Sequence, residues 1–196
     1  MNSSIRALEL AIAHGDTNET IRLIDSQPEL LEVHFPENVG LTPLMWACRN
    51  RHTAIVEFLL QKGASVNVTN PVDAKGDGGN TALWFTAQGA SPGTVPLARL
   101  LLDHRAAIDA RCERGTTAFF LAVSWLHMEL VQFLISRGAD PFIENDDGKT
   151  PLQVIRKHAE RLETQTGWTE DEKRFHLRAP RMIAFLESLK QRLGHQ

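Results

Sequence analysis

A short helix-starting motif occurs four times along the chain, and its spacing limits the fold more than any other feature. The copies read TPLMWAC from Thr42, TALWFTA from Thr81, TAFFLAV from Thr117 and TPLQVIR from Thr150. The third and fourth copies begin 33 residues apart, and the second and third begin 36 apart. A regular period in this range indicates stacked structural repeats, because a single unit of this size cannot bury its own apolar face.

Residues 40–68 show what one repeat contains. Thr42 is a natural helix cap, since its hydroxyl can accept a hydrogen bond from a free backbone N–H, and Pro43 suits the first helical position. A second helix follows with an apolar stripe so broad that it needs a neighbour on each side, and Gly63 suits the left-handed position that ends it. The stretch therefore predicts two short helices joined by a turn.

The second helices recur as well, as FLLQKGASVN, LLLDHRAAID and FLISRGADPF. Motif, period and order together resemble the ankyrin repeat, whose consensus has T-P-L-H-x-A early and a turn similar to G-A-D-x-N late. The resemblance implies an all-α solenoid of stacked helix–turn–helix units with hairpin loops between the repeats. It covers residues 1–196 as a single domain, whose first and last repeats act as caps. The expected repeats are approximately residues 4–39, 40–72, 78–110, 114–143 and 147–192.

Three segments depart from a regular repeat. Residues 68–80 form an extended loop rich in Pro, Gly and Asp, which we expect to project as a finger, either as a tolerated insertion or as a partner contact. A second insertion, GASPGTVP, lies between the helices of the third repeat. Arg105 replaces a turn glycine later in that repeat, which predicts either local strain or a change of turn type. Residues 160–196 form an elaborated C-terminal cap.

Within this cap, the first helix of the last repeat is expected to start at Thr150 and to continue through RKHAERLET before a break at residues 167–169. Thr169 and Glu172 match a capping box for a further helix. Pro180 is expected to end that helix, because proline has no N–H to donate, and RMIAFLESLKQRL then forms the last helix.

Family members usually have a histidine at the fourth position of the helix motif, where it ties neighbouring turns together. Here that position holds Met45, Trp84, Phe120 and Gln153. We therefore expect packing to replace most of that polar network. Trp46 and Trp84 are expected in the core or between repeats, and His52 and His127, at the start of second helices, are expected to have structural roles.

Composition and charge argue against several functions. The formal net charge is −3, whereas a general nucleic-acid binder needs a basic surface. No apolar run approaches the roughly 20 residues of a membrane-spanning helix, and Arg6 and Glu9 interrupt the apolar run near the N-terminus, which argues against a secretory signal. Two cysteines make no disulfide framework, so we expect a reducing, cytoplasmic location.

The sequence also lacks the common patterns of catalytic and metal sites. Its eight histidines include no HxxxH or HExxH pair, and no CxxC, GxGxxG, phosphate-loop or GxSxG motif occurs. Asp146, Asp147 and Gly148 resemble part of a calcium loop but fit the turn of a repeat hairpin better. We therefore expect no enzyme activity, no cofactor and no metal. A hydrolase that uses scattered His and Asp residues is the remote alternative.

The resemblance implies that a protein partner binds in a concave groove lined by hairpin tips and by the exposed faces of first helices. By motif position, groove residues precede each capping threonine or follow it by seven or eight positions. Trp125 is the sharpest candidate, because a small or polar residue is usual there; it either contacts the partner or packs on the insertion of the third repeat. The predicted contact residues are Asn38, Val39, Leu41, Arg49, Asn50, Asp77, Asn80, Gln88, Glu113, Arg114, Thr116, Ser124, Trp125, Asp146, Asp147, Lys149, Lys157 and His158.

Two main functions remain open at this point. The first is a monomeric, non-enzymatic scaffold that binds one protein and neither nucleic acid nor membrane. Keeping an enzyme or toxin inactive, as an inhibitor or immunity-type protein, is one form of this function. The second is a self-associating structural or regulatory protein that buries its own groove or cap.

Overall fold

In the computed structural model, the described residues are 3–74, 76–89, 94–163 and 169–194. Within these ranges the chain is helical, and its only β-like feature is an isolated bridge between Phe35 and Leu41, so the predicted all-α fold is confirmed. The α-helices are α1 (Ser3–His14), α2 (Thr17–Ser26), α3 (Pro43–Arg49), α4 (Thr53–Gln61), α5 (Ala82–Ala87), α6 (Thr94–Asp103), α7 (Ala118–Ser124), α8 (Met128–Ser136), α9 (Pro151–Glu163) and α10 (Glu170–Arg192). Short 3-10 helices occupy Pro28–Glu32, Pro36–Asn38 and Glu113–Gly115.

Each of the four repeated motifs begins a helix through its threonine. The Oγ1 atoms of Thr42, Thr81 and Thr117 accept hydrogen bonds from the backbone N–H three residues later, at 3.4, 3.3 and 3.1 Å. Thr150 does the same for Gln153 at 3.4 Å, and the Gln153 side chain accepts from the Thr150 N–H at 2.9 Å. Because these caps satisfy donors that have no partner within the helix, they fix where α3, α5, α7 and α9 begin.

The helices stack in two layers. The first helices pack in the order α1, α3, α5, α7 and α9, while α2, α4, α6 and α8 pack one upon the next. Leu44, Leu83 and Phe119 hold equivalent positions two residues after their caps, and each is at most 1% exposed. Burying one such side chain contributes about 1.5–3 kcal/mol. The stability of each unit therefore depends on its neighbours, as expected for a solenoid.

The turns that follow the second helices adopt a left-handed backbone conformation. Gly63 has a φ of 89° and Gly138 a φ of 92°, which glycine adopts without a steric cost. Arg105 occupies the same place with a φ of 66°. Of the two predicted outcomes, the turn therefore keeps its left-handed conformation, which is strained for a residue other than glycine. The GASPGTVP insertion is described only in part, because residues 90–93 lie outside the described ranges.

The C-terminal cap differs from its prediction at Pro180. Thr169 and Glu172 form the expected capping box, with the Thr169 N–H donating to the Glu172 carboxylate at 2.8 Å. The helix α10 then continues through Pro180, so the predicted break there is wrong. Burial on both sides of the proline outweighs the ~3 kcal/mol that an interior proline costs. The buried face consists of Ala179, Met182, Leu186 and Leu189.

Among the described helices, the two longest are α9, which leads into this cap, and α10, which forms most of it. Helix α9 continues to Glu163, as predicted, while the expected break at residues 167 and 168 lies outside the described ranges. Among the helices that the structure describes, none is both long and apolar enough to cross a bilayer.

Candidate partner-binding groove

The hairpin turns and the first helices carry the predicted contact residues, and many of these residues line two hollows. The first, the α3–α5 hollow, has a volume of about 410 Å³, and the second, the α9 hollow, about 490 Å³. The α3–α5 hollow is lined by the predicted residues Val39, Arg49, Asp77, Asn80, Gln88 and Glu113, together with Pro36, Gly40, Asn70, Pro71, Val72, Asp73, Gly78, Trp84 and Phe85. The α9 hollow is lined by the predicted residues Asp147, Lys149, Lys157 and His158, together with Gln153, Val154 and Arg161.

The extended loop closes on itself beside the α3–α5 hollow. The Asn70 N–H donates to the Asn80 carbonyl at 3.2 Å, and the Asp73 N–H donates to the Asp77 carbonyl at 2.8 Å. The Asp77 N–H in turn donates to the Asp73 carboxylate at 3.0 Å. These bonds draw the two sides of the loop together, so that it forms a narrow hairpin.

Two buried asparagines bind this hairpin to the turns on either side. Asn70 donates from Nδ2 to the Val39 carbonyl at 3.2 Å and accepts at Oδ1 from the Asn80 N–H at 2.8 Å. Asn80 accepts at Oδ1 from the Glu113 N–H at 2.9 Å and donates from Nδ2 to the Glu113 carboxylate at 3.2 Å. Asn70 and Asn80 are only 3% and 4% exposed, so water competes little for these bonds.

The same connection continues toward the C-terminus. The Asp146 N–H donates to the Arg114 carbonyl at 3.0 Å. The Arg111 guanidinium donates to the Glu144 carbonyl at 2.6 Å and to the Asp146 carboxylate at 3.1 Å. Hydrogen bonds therefore join four turns in series. We call this set the hairpin wall, and it comprises residues 35–41, 70–74, 76–80, 111–116 and 144–149.

Close packing within the hairpin wall requires glycine at two positions. Gly78 has a φ of 124°, and a Cβ atom there would lie 2.2 Å from the Pro71 carbonyl oxygen. Gly40 has a φ of 69°, and a Cβ atom there would lie 2.6 Å from Pro71 Cδ. Both distances are far below van der Waals contact, so a side chain at either position requires the wall to move.

Two of the predicted contact residues are buried. Leu41 is 0% exposed and forms the isolated bridge with Phe35, whose N–H donates to the Leu41 carbonyl at 2.9 Å. Asn80 uses its side chain inside the hairpin wall. The predicted contact role of Leu41 is therefore wrong, whereas Asn80 lines the α3–α5 hollow with its side-chain polar groups already engaged. Leu41 is apolar and directly precedes the capping Thr42, and this feature of the sequence indicates burial. Position within the motif does not take the residue type into account.

Trp84 and Phe85 line the α3–α5 hollow, and Trp84 also connects two repeats. The two ring centroids are 5.2 Å apart with an interplanar angle of 86°, an edge-to-face arrangement that aromatic quadrupoles favour. Trp84 Nε1–H donates to Thr116 Oγ1 at 3.0 Å, and Trp46 Nε1–H donates to the Glu9 carbonyl at 3.2 Å. Both tryptophans were predicted in the core or between repeats, and these hydrogen bonds confirm that they lie between repeats. The expectation that packing replaces the polar ties is wrong at Trp84.

Other predicted residues are engaged within the chain. Asn38 Nδ2 donates to the Glu9 carboxylate, and Thr116 Oγ1 donates to the Glu113 carbonyl at 2.7 Å. The side chains of Asn50 and Ser124 donate to backbone carbonyls one turn earlier, at 2.8 and 3.0 Å. Gln88 is half-buried. These residues maintain the shape of the groove more than they offer free groups to a partner.

Arg49, Arg114 and Trp125 are predicted contact residues whose large side chains are exposed. The Arg49 guanidinium lies 5.8 Å from the centroid of the Trp46 ring. The Arg114 side chain is 77% exposed, and its Nη2 lies 3.7 Å from an Asp77 carboxylate oxygen. Trp125 follows the last residue of α7 and is 45% exposed. These three residues thus present one indole and two guanidinium groups to solvent.

Basic side chains dominate the α9 hollow. Lys149 and Lys157 are exposed, and Arg161 Nη2 lies 3.4 Å from His158 Nε2. The His158 ring stacks on Phe175 of α10, with centroids 4.1 Å apart and planes 27° from parallel. Burial lowers the pKa of His158, and the nearby Arg161 lowers it further. The positive charge of this hollow near pH 7 therefore comes from the lysines and Arg161.

Two histidines outside the hollows connect neighbouring repeats. His52 Nε2 lies 3.3 Å from the Ala13 carbonyl, and His127 Nε2 hydrogen-bonds to the Gly89 carbonyl. Their predicted structural roles are confirmed. Burial lowers the pKa of His127, while the bond to Gly89 opposes that shift.

The described residues bring together neither a metal site nor an activated thiol. In the parts of the chain that the structure describes, no three His, Cys, Asp or Glu side chains gather as metal ligands. Cys48 and Cys112 are buried free thiols, and burial raises the pKa of both, which disfavours the reactive thiolate.

Comparisons with known proteins agree with this geometry. The family model described as "Ankyrin repeat" matches residues 39–71, and the one described as "Ankyrin repeats (3 copies)" matches residues 68–145. The chain is 33% identical over 148 residues to the ankyrin repeat and KH domain-containing protein mask-1 of Caenorhabditis elegans. It is 29% identical over 146 residues to the human transient receptor potential cation channel subfamily A member 1, and 31% identical over 137 residues to the ankyrin repeat and SOCS box protein 11 of Danio rerio.

These alignments include most of this chain but smaller parts of the relatives. They cover 76%, 74% and 69% of the chain, and 5%, 12% and 43% of the three relatives. The chain therefore spans less than half the length of each of these relatives. The similarity is a similarity of repeats and does not extend to the activities of the whole proteins.

Proposed function

Because the chain belongs to the ankyrin repeat family, we propose that it binds one protein partner in the groove between the hairpin wall and the first helices. Repeats of this family serve in general as scaffolds for protein–protein interaction. The hairpin wall is the observation that carries the proposal for this chain. Four turns far apart in sequence are joined by backbone and buried side-chain hydrogen bonds, which set one continuous edge for the groove.

A pre-ordered edge favours binding because less conformational entropy is lost when a partner docks. In the free protein, backbone amides of the loop already form hydrogen bonds within the chain. The bonds between Asn70 and Asn80 are the central ones. The stacked first helices supply the opposite side of the groove. A partner therefore meets a surface whose shape is already set.

The exposed groups on this surface are of the kinds that dominate protein interfaces. Trp and Arg are enriched among the residues whose truncation weakens binding most, and Trp125 and Arg114 are both exposed. At the hairpin tips, Val39 and Val72 are 65% and 62% exposed and add apolar area near the α3–α5 hollow. We assign Trp125 and Arg114 as the main anchors for the partner.

A capture experiment tests the groove. The tagged chain and its Trp125→Ala and Arg114→Ala variants are used as bait in lysate of the source cell, and the bound protein is identified by mass spectrometry. Binding of the purified partner is then measured for each variant. We expect each groove variant to weaken binding by about tenfold or more, the size of a typical hot-spot loss.

Two exposed residues away from the groove serve as matched controls. Leu177 is 79% exposed on α10, and Arg192 lies at the exposed end of the same helix. Leu177→Ala and Arg192→Ala should leave binding unchanged. Undiminished binding by both groove variants, or equal losses in groove and control variants, would contradict the proposed groove.

We further propose that the chain keeps its bound partner inactive, as an inhibitor or immunity-type protein does. An activity assay of the captured protein with and without the chain tests this proposal.

We also propose that the chain is monomeric in solution. Sedimentation at low concentration would show a stable dimer if self-association, the alternative function, were correct.

A further inference from the structure

A further hollow lies beside the cap helix α10, outside the groove. It has a volume of about 450 Å³ and is lined by the first residues of α6, by residues 126–130 and by α10. We call it the α6–α10 hollow. None of its lining residues belongs to a first helix of a repeat or to the hairpin wall. A ligand in this hollow therefore does not occupy the site proposed for the protein partner.

Two guanidinium groups of the α6–α10 hollow have no carboxylate partner. Arg178 and Arg181 are exposed one turn apart on α10, and neither forms an ion pair or hydrogen bond with another described residue. The lining contains one carboxylate, that of Glu129, which is likewise unpaired within the described ranges. Burial lowers the pKa of the adjacent His127, and the two charges that lower it further, those of Arg51 and Arg178, are both positive. The hollow therefore has an excess of positive charge.

The hollow also contains hydrogen-bond donors that the chain leaves unused. His127 makes no side-chain cap for α8, and the N–H groups of Glu129 and Leu130 have no acceptor in the described part of the chain. Thr94 is only 3% exposed, yet its hydroxyl forms no hydrogen bond with a described residue. Among the described residues, no fully enclosed side-chain oxygen or nitrogen lacks a partner, so the Thr94 hydroxyl reaches the hollow that this residue lines. An unused donor in so buried a position favours a ligand that can accept from it.

The remaining walls of the hollow are apolar. Val95, Leu126 and Met128 are half-buried, and Met182 is buried. The volume lies in the range of pockets that hold small molecules, which combine apolar walls with a few polar groups. A ligand that fits this lining has an apolar body and one strongly charged end.

From these groups we propose that the α6–α10 hollow binds an organic phosphate, a phosphate monoester carried on an apolar body. Such a group has a charge of about −1.5 to −2 at pH 7 and three acceptor oxygens, which matches two unpaired guanidiniums and the unused donors. The hollow also lies at the first turns of α6 and α8, where the helix dipoles favour an anion. The carboxylate of Glu129 opposes binding, and its removal gives a distinctive test.

The test uses the full chain and small probes. Phenyl phosphate, inorganic phosphate and benzyl alcohol are titrated into the ¹⁵N-labelled protein at about 50 mM salt, where electrostatic binding is little screened. We expect phenyl phosphate to shift the amide signals of residues 94–96 and 126–130. It should bind about fivefold or more tightly than either other probe, because each of these lacks the apolar body or the charge. A blocked phosphotyrosine tripeptide is the fourth probe: binding at least as tight as that of phenyl phosphate would assign a phosphorylated side chain as the source, and weaker binding a free small molecule.

Substitutions with opposite expected signs supply the controls. Arg178→Gln with Arg181→Gln should weaken phenyl phosphate binding by about tenfold or more. Glu129→Gln should strengthen it by about twofold, because a like charge is removed. Arg174→Gln with Arg192→Gln removes the same charge from exposed sites of α10 outside the hollow and should leave binding unchanged.

Thr94→Val keeps the shape of the side chain and removes its hydroxyl, so it should weaken binding by about threefold or more. Three results would overturn the proposal: phenyl phosphate leaves the signals of the hollow in place, benzyl alcohol or inorganic phosphate binds as tightly, or the two double arginine variants weaken binding equally. These results are separable from the proposed function, because Trp125→Ala capture reports on the groove alone. If that capture is impaired while phenyl phosphate does not bind, the groove stands and only the phosphate site is rejected.

Discussion

Asn70 and Asn80 are bound to each other twice across the base of the closed loop. The Asn70 N–H donates to the Asn80 carbonyl at 3.2 Å, and the Asn80 N–H donates to the Asn70 side-chain oxygen at 2.8 Å. Each asparagine then uses its remaining side-chain groups on a different neighbouring turn, Val39 on one side and Glu113 on the other. An insertion in one repeat thereby connects three consecutive turns.

Asn80→Ala is expected to destabilise the protein by about 2 kcal/mol, because it leaves the half-buried Glu113 N–H without its acceptor. Urea denaturation followed by circular dichroism measures the change. Asn18→Ala, at an exposed position of α2, is the control and should change stability by less than ~0.5 kcal/mol. Equal and small effects in the two variants would show that the asparagine bonds contribute little.

Two glycines of the same loop separate steric from conformational effects. Gly78→Ala places a Cβ atom 2.2 Å from the Pro71 carbonyl oxygen, whereas Gly76→Ala meets no atom within 4 Å, and both residues have positive φ. We expect Gly76→Ala to cost about 1 kcal/mol from the backbone alone and Gly78→Ala distinctly more. Urea midpoints for the two variants test this, and a larger loss for Gly76→Ala would contradict the packing described.

Sequence reasoning located the repeats because the information was local and repeated. A threonine cap acts on an N–H three residues later, and an apolar face recurs with the helix period, so both can be read without knowing any distant contact. Three of the four capping threonines are also buried, at no more than 5% exposure, as expected for the start of a helix inside a stack. They are Thr42, Thr81 and Thr117.

The misplaced predictions share a dependence on contacts between distant residues. Asn80 looks like an ordinary polar loop residue until the Glu113 turn is packed against it. Pro180 looks like a helix end until the packed residues on both sides are known. In each case, tertiary burial outweighed a local preference. The direction of the Trp84 indole, toward Thr116 in the next repeat, was likewise invisible to a motif that describes one repeat at a time.

At Arg105 the chain lacks the glycine that ends the second helix of other repeats, and this difference lowers the stability of the fold. Gly63 and Gly138 hold the equivalent left-handed position, whereas Arg105 adopts a φ of 66° with an exposed side chain. Arg105→Gly should stabilise the protein by about 1 kcal/mol, because glycine adopts this conformation without strain. The carbonyl that accepts from Asn67 Nδ2 at 3.0 Å belongs to the backbone and is retained.

The reverse change gives the matched control for Arg105. Gly63→Ala introduces a Cβ atom into open space, so the expected loss of about 1 kcal/mol is conformational alone. Thermal or urea midpoints of the two variants should therefore move in opposite directions. Destabilisation in both would indicate that the Arg105 side chain makes a contribution that outweighs its backbone strain.

His127 makes the stability of the chain depend on pH. Burial lowers its pKa below the ordinary value of 6.5, and the charges of Arg51 and Arg178 lower it further against the opposing bond to Gly89. Below pH 6.5 the unfolded chain therefore binds a proton at this site more readily than the folded chain does. Linkage requires stability to fall as the pH drops through 6.5 toward the lower folded pKa, and to be independent of this group at higher pH.

His127→Gln tests this dependence, because glutamine can still donate to the Gly89 carbonyl but does not titrate. Urea midpoints of wild type and variant are compared at three pH values, about 7.5, 6.5 and 5.5, spanning the titration of histidine. The wild type should lose more stability than the variant toward the acid end, by at most about 1.4 kcal/mol per pH unit for one proton. His158, whose pKa is also lowered by burial, is present in both proteins and accounts for a remaining slope of the same sign. Parallel curves for wild type and variant would show that His127 is protonated equally well in the folded chain, which its burial beside two arginines argues against.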